Sequence, residues 1–148
     1  MTTRVLIPSG ALGLNYDQVA LDRGIAMKPD IIAIDGGSTD SGPAYLGRGV
    51  SKYSRASTKI EWRGLMEARA KTGVPLVIGT SGTCGADNAV DWMLDITREI
   101  ATDLRQSLKI AVLRCSQDTA VMSTAFSDGR ITPLPAAPNV TADDFATC

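Results

Sequence analysis

Four short runs, residues 4–8, 31–34, 74–78 and 109–113, are apolar along nearly their whole length instead of alternating with polar residues. Strands of that kind are covered on both faces, as in a parallel sheet flanked by helices. Stretches of helical character separate the runs, so the order strand–helix repeats along the chain. This pattern predicts an α/β fold, a Rossmann-like three-layer sandwich with a mainly parallel sheet of about four strands. No internal repeat is apparent.

The segments between the runs carry recognisable start and stop signals. Asn15 or Asp17 is placed to cap a helix that runs to about Met27, where Lys28-Pro29-Asp30 stops it. Residues 41–56 are rich in Gly and Ser and form a long loop carrying Arg48, Lys52 and Arg55, and long loops in compact domains are often functional. Thr58 and Glu61 have the spacing of a capping box, after which Trp62, Leu65, Met66 and Arg69 share one helical face, and Gly73 closes the helix. Val90, Met93, Leu94, Thr97, Ile100, Ala101 and Leu104 make a continuous helical stripe opposite Asp91, Asp95, Glu99 and Asp103. Asp87 or Asn88 is the expected cap of that helix, and Asp118 that of a shorter one ending near Phe126.

These signals place an α/β domain over residues 1–126. Residues 127–148, with Pro133, Pro135 and Pro138, read as an extended linker or interaction tail. Thr141 to Phe145 looks like the start of a new helix, so the chain reads as one part of a longer whole.

Composition excludes more than it suggests. A chain of 148 residues has the size of one domain and can bury a real core. The formal net charge of −1 gives no reason to expect nucleic acid or an anionic membrane as partner. No apolar run approaches membrane-spanning length, and no signal-peptide pattern precedes the first run, which favours the cytoplasm. The sequence has no histidine, so a Ser-His-Asp or Cys-His mechanism within the chain is excluded and no metal site is expected. Cys84, Cys115 and Cys148 have neither disulfide-framework nor metal-ligand spacing. No cofactor is specified.

In an open parallel α/β sheet, ligands bind beyond the carboxyl ends of the strands. The ends of the four runs deliver small polar residues to that edge: Ser9-Gly10, then residues 35–40 with the order Asp-Gly-Gly-Ser-Thr-Asp, then residues 79–87, then Cys115-Ser116. The stretch 79–87, Gly-Thr-Ser-Gly-Thr-Cys-Gly-Ala-Asp, joins a buried run to a helix N-terminus, where unsatisfied N–H groups and the helix dipole favour an anion. It is neither a Walker A loop nor a dinucleotide-binding glycine motif, because the Lys is missing and the glycines are spaced by three. Two readings fit it. Its N–H groups, with the Ser81 and Thr83 hydroxyls and Gly82, cradle a carboxylate or phosphate; or its glycines simply permit a tight crossover.

The other candidates carry the same duality. Asp35, at a strand end, suits a general base or a residue that orients a substrate hydroxyl, and Asp40 its partner or a magnesium ligand. Both also suit local Asx-turn bonding. Cys84, just before a helix start, is a candidate nucleophile or a small packing residue. Arg55 suits bidentate contact with a carboxylate or simple surface solvation.

The stretch 34–43, followed by Tyr45-Leu46-Gly47, residues 75–82 and Asp91-Trp92-Met93-Leu94-Asp95-Ile96, resembles the N-terminal part of the acyclic terpene utilisation AtuA-like family. The resemblance runs from Arg4 to about Asp144. Family members are longer, are linked to terpenoid, branched-acid and acyl-CoA catabolism, and often stand beside a small partner protein. The resemblance implies an enzyme subunit acting on a small carboxylic acid or acyl thioester, with a lyase- or hydratase-type step. It marks Asp35, Ser38, Thr39, Asp40, Ser81 and Gly82 as site positions, with Gly36 and Gly37 inside the same motif, and it implies a second protein chain supplying the missing C-terminal part. The residues alone leave open an alternative, a non-catalytic binding or assembly module that completes the active site of a partner chain.

Overall fold

The computed structural model describes residues 2–37 and 44–146. Ser38, Thr39 and Asp40 lie outside the described residues, as does Cys148. The chain divides into two units, residues 1–114 and 115–148. The helix expected to end near Phe126 falls in the second unit.

The first unit is α/β. Its elements are β1 (Val5–Leu6), α1 (Gln18–Ala26), β2 (Ile31–Asp35), α2 (Ala44–Arg48), α3 (Arg55–Thr72), β3 (Leu76–Gly79) and α4 (Asp87–Asp103). The strands form one parallel sheet in the order β1-β2-β3. Val5 pairs with Ile31, Ile32 with Leu76 and Asp35 with Gly79.

The sheet has three strands where about four were expected. Residues 109–113 form no ladder. They follow Leu108, which packs on the core, and reach Arg114, whose guanidinium binds Asp91 near the start of α4. The run thus retraces α4 in the direction a crossover requires, with Leu113 78% exposed. Apolar composition states that a segment wants cover; a strand also needs a partner edge for its N–H and C=O groups.

Local signals explain most of the helices. Asp17 caps α1 by accepting the Ala20 N–H at 2.8 Å. Gly24 sits inside α1 because a Cβ there would stand 2.4 Å from Leu6 Cδ1, so its absence lets the helix approach β1. Gly73 ends α3 in the left-handed region and donates to Arg69 O at 2.8 Å. The capping box does not form. Ser54 caps α3 one turn earlier, accepting the Ser57 N–H at 3.1 Å, and leaves Thr58 and Glu61 buried inside the helix. The loop expected over residues 41–56 therefore contains α2 and the first residues of α3.

The core lies on one face of the sheet. Ile32 and Ile34 pack there with Leu21, Trp62, Leu65, Met93, Ile96 and Ile100 from α1, α3 and α4. The opposite face carries Val5 at 54% and Val77 at 46% exposure. Cover on both faces was expected, and within this unit only one face has it.

In the second unit, Asp118 caps α5 (Thr119–Ser127), accepting from Ala120 at 2.8 Å. A 3-10 turn (Ala142–Ala146) follows, with Asp144 accepting the Thr141 N–H at 2.7 Å, and Phe145 stacks on Phe126 at a centroid distance of 5.3 Å. Among the described residues, no helix is long and apolar enough to cross a membrane.

Candidate functional site

The carboxyl ends of β2 and β3 meet in one corner. Asp35 Oδ1 accepts the Gly37 N–H at 3.1 Å, the Asx-turn bond, and also a hydrogen bond from Thr80 Oγ1. The Asp35 carbonyl accepts the Leu12 N–H at 2.8 Å, tying the loop after β1 to the same corner. One carboxylate oxygen is thereby held by two donors. The other has no hydrogen bond among the described residues.

Gly36 and Gly37 bring the turn against the loop after β3. A Cβ on Gly36 would stand 2.4 Å from Gly79 O, and one on Gly37 would stand 2.2 Å from Thr83 Cα. Both glycines are buried, and the Thr83 N–H donates to Gly36 O at 3.3 Å. Their role in this corner is close backbone contact.

The loop itself is held in left-handed conformations at Thr80, Gly82, Thr83 and Gly85. Such a φ is unusual for the β-branched Thr80 and Thr83, and surrounding bonds must hold them there. Thr83 is 1% exposed; its Oγ1 accepts the Lys52 N–H at 2.9 Å and lies 3.2 Å from Ser51 Oγ. The hydroxyl expected to bind substrate is engaged in anchoring the segment after α2. Ser81 is half-buried, and its carbonyl accepts the Gly85 N–H at 3.1 Å. Cys84 is half-buried and free, and Cys115 is exposed.

Neither Asp87 nor Asn88 caps α4. The N-cap is Ala86, which supplies no side-chain acceptor, and the Ala89 N–H of the first turn is taken by Asn88 Oδ1 at 2.9 Å. Asn88 instead donates from Nδ2 to Gly49 O at 2.8 Å. Arg114 lies along the same turn: it bonds Asp91 through both oxygens and stands 3.8 Å from Asp87 Oδ2. The hydrogen bond from Arg114 lowers the Asp91 pKa below its ordinary range, and the same bond raises that of Arg114.

Arg55 stands apart from this corner. Arg55 pairs with Glu99 at 2.8 Å, and Glu99 is itself lowered in pKa chiefly by a hydrogen bond from Lys59. Glu99 lies twelve residues beyond Asp87, about 18 Å along the helix axis, so Arg55 is committed to the α3–α4 surface. Ser9 is half-buried and makes only a long contact, 3.5 Å, to Ala11 O.

Sequence reasoning passed over three features. Thr80 was read only as part of a glycine-rich loop, although its position next to Gly79 places it opposite Asp35 once the register is known. Glu61 was taken for a cap; the residue is buried, and its carboxylate binds the loop after β1. A cavity of about 200 Å³ lies beside the first turn of α4, against Trp92. Among the described residues, no group of three or more His, Cys, Asp or Glu could hold a metal ion.

In comparisons with known proteins, no family model matches the chain, and no curated protein or solved structure matches it.

Proposed function

We infer that the chain is the subunit of a cytoplasmic catabolic enzyme, holding a small carboxylic acid or acyl thioester at the carboxyl ends of β2 and β3 for a lyase- or hydratase-type step. The Asp35–Thr80 pair carries this reading. Thr80 and the Gly37 N–H immobilise one oxygen of Asp35, leaving the other to take or orient a proton. The Asn88 N–H, in the first turn of α4 after the Ala86 cap, supplies a donor for the carboxylate, and a fixed donor of that kind stabilises an enolate-like intermediate. Ser38, Thr39 and Asp40 extend the same motif. The resemblance to the AtuA-like family points to the same substrate class.

Two measurements test this reading. Acetate titrated into the isotopically labelled chain should shift the backbone amides of residues 81–88 saturably. Asp35→Asn should abolish turnover in the native assembly while leaving the fold and acetate binding intact. Amides that do not respond, or normal turnover in the variant, would remove the reading.

A second reading is favoured by the exposed sheet face at Val5 and Val77. Here the chain is an assembly module, and a partner chain lays helices on that face, completing a Rossmann-like three-layer sandwich and supplying the acid–base groups. The native mass of the complex purified from its source decides between them. A chain that runs alone and turns substrate over removes the second reading.

A further inference from the structure

The cavity beside α4 is built separately from the Asp35 corner. The turn 49–51 stands against Gly82 and the first turns of α4, and the space between measures about 200 Å³. Two left-handed glycines hold its walls in place. A Cβ on Gly49 would stand 2.7 Å from Asn88 Nδ2, and one on Gly82 would stand 2.8 Å from Ala89 Cβ.

The polar side chains of Asn88 and Ser51 in the lining are engaged by the wall itself. Asn88 Nδ2 donates to Gly49 O, and Asn88 Oδ1 accepts the Ala89 N–H at 2.9 Å. Ser51 Oγ lies 3.2 Å from Thr83 Oγ1 and accepts the Tyr53 N–H at 3.3 Å. No lining residue is ionisable. What the cavity offers a guest is the side chains of Val50, Ala89 and Trp92. A charged guest would lose its hydration there without a charged partner, whereas a hydrocarbon group would lose only its contact with water.

We propose that this cavity is a slot for an uncharged hydrocarbon group, the apolar portion of the ligand whose carboxylate lies at the start of α4. The size follows from volume: about 150 Å³ suffices for benzene, so the slot takes a group of about six to eight heavy atoms. The proposal rests on the carboxylate reading for the charged end only. Asn88 and Ala89 belong both to the slot and to the first turn of α4, so one ligand spans the two places.

The two tryptophans make the test direct. Trp62 is buried and donates from Nε1 to Thr97 Oγ1 at 2.9 Å, whereas Trp92 lines the slot. The indole N–H signals of the labelled chain, assigned with Trp92→Phe, are followed while toluene and, separately, acetate are added. Toluene should shift the Trp92 signal saturably and leave that of Trp62 in place. Val50→Phe, at a half-exposed position, should weaken toluene binding about tenfold or more and leave acetate binding unchanged. A Trp92 signal that does not move, or moves together with Trp62, overturns the slot, and the wild-type titration decides this even if Val50→Phe does not fold. Acetate binding without toluene binding removes the slot and keeps the carboxylate reading. Toluene binding without acetate binding keeps the slot and removes the carboxylate reading.

Discussion

Glu61 Oε2 accepts the Gly13 N–H at 2.7 Å, across 48 residues of sequence. Oε1 accepts the Asn15 N–H at 3.0 Å, so a carboxylate of α3 fills the concavity made by the left-handed residues Gly13 and Asn15. Successive N–H groups in such a turn form a natural anion site. Here the protein's own side chain occupies it. The loop after β1 is thereby held by α3. Tyr16 belongs to the same assembly: its hydroxyl donates to Glu61 O at 2.9 Å, and burial, with Glu61 nearby, raises its pKa.

Removing that carboxylate should cost stability. Glu61→Ala leaves two part-buried N–H groups without acceptors, an expected loss of about 2–4 kcal/mol in denaturant unfolding. Glu61→Gln retains one acceptor oxygen and should lose about half as much. Equal stability of wild type and Glu61→Ala would show that the Gly13–Asn15 turn needs no acceptor.

Gly37 and Gly47 should respond oppositely to alanine. A Cβ at Gly37 meets the backbone of Thr83 at 2.2 Å, so Gly37→Ala forces the two loops apart at about 1–3 kcal/mol. A Cβ at Gly47, in α2, meets nothing within 4 Å, so Gly47→Ala should stabilise by about 0.4–1 kcal/mol. Thermal unfolding of the two variants checks both signs.

The Asp35–Thr80 contact should appear as a coupling energy. Asp35→Asn, Thr80→Val and the double variant form a cycle whose interaction term should be about 0.5–1.5 kcal/mol. Additive effects would show that the two side chains do not support each other.

The bond between Arg114 and Asp91 should fail in acid. The folded-state pKa of Asp91 is depressed, so its contribution is fully present above the ordinary aspartate pKa and is lost as pH falls through the lower folded value. Carboxyl chemical shifts of Asp91 should titrate below the ordinary aspartate range in the wild type and return to that range in Arg114→Gln. Titration of Asp91 at the ordinary value in both proteins would exclude the pairing.

Much of the fold is legible in short stretches of sequence. Asp17, one of two expected caps of α1, and Asp118 cap their helices, Gly73 ends α3, and Met93 and Ile100 of the expected stripe are buried, because each signal acts within one or two turns of chain. The placement of Asp35 at the end of β2 was equally local. The parallel α/β order follows from the same runs, and the sheet bears it out with one strand fewer.

Other features were settled by partners far away in sequence. Thr58 and Glu61 have capping-box spacing, yet Ser54 starts the helix and Glu61 serves Gly13 and Asn15. Thr83 resembles a ligand-binding hydroxyl until Lys52 and Ser51 are found around it. Run 109–113 is as apolar as β3 but lacks a ladder, because hydrogen bonding depends on which edge lies alongside. The sequence by itself determined three of the expected strands, the caps of α1 and α5 and the glycine stop of α3, since backbone propensity and side-chain periodicity are local. Only the tertiary structure decided which N–H groups Glu61 satisfies, that Thr80 rather than Thr83 meets Asp35, and where a cavity remains, since these depend on groups tens of residues apart being brought within hydrogen-bonding distance.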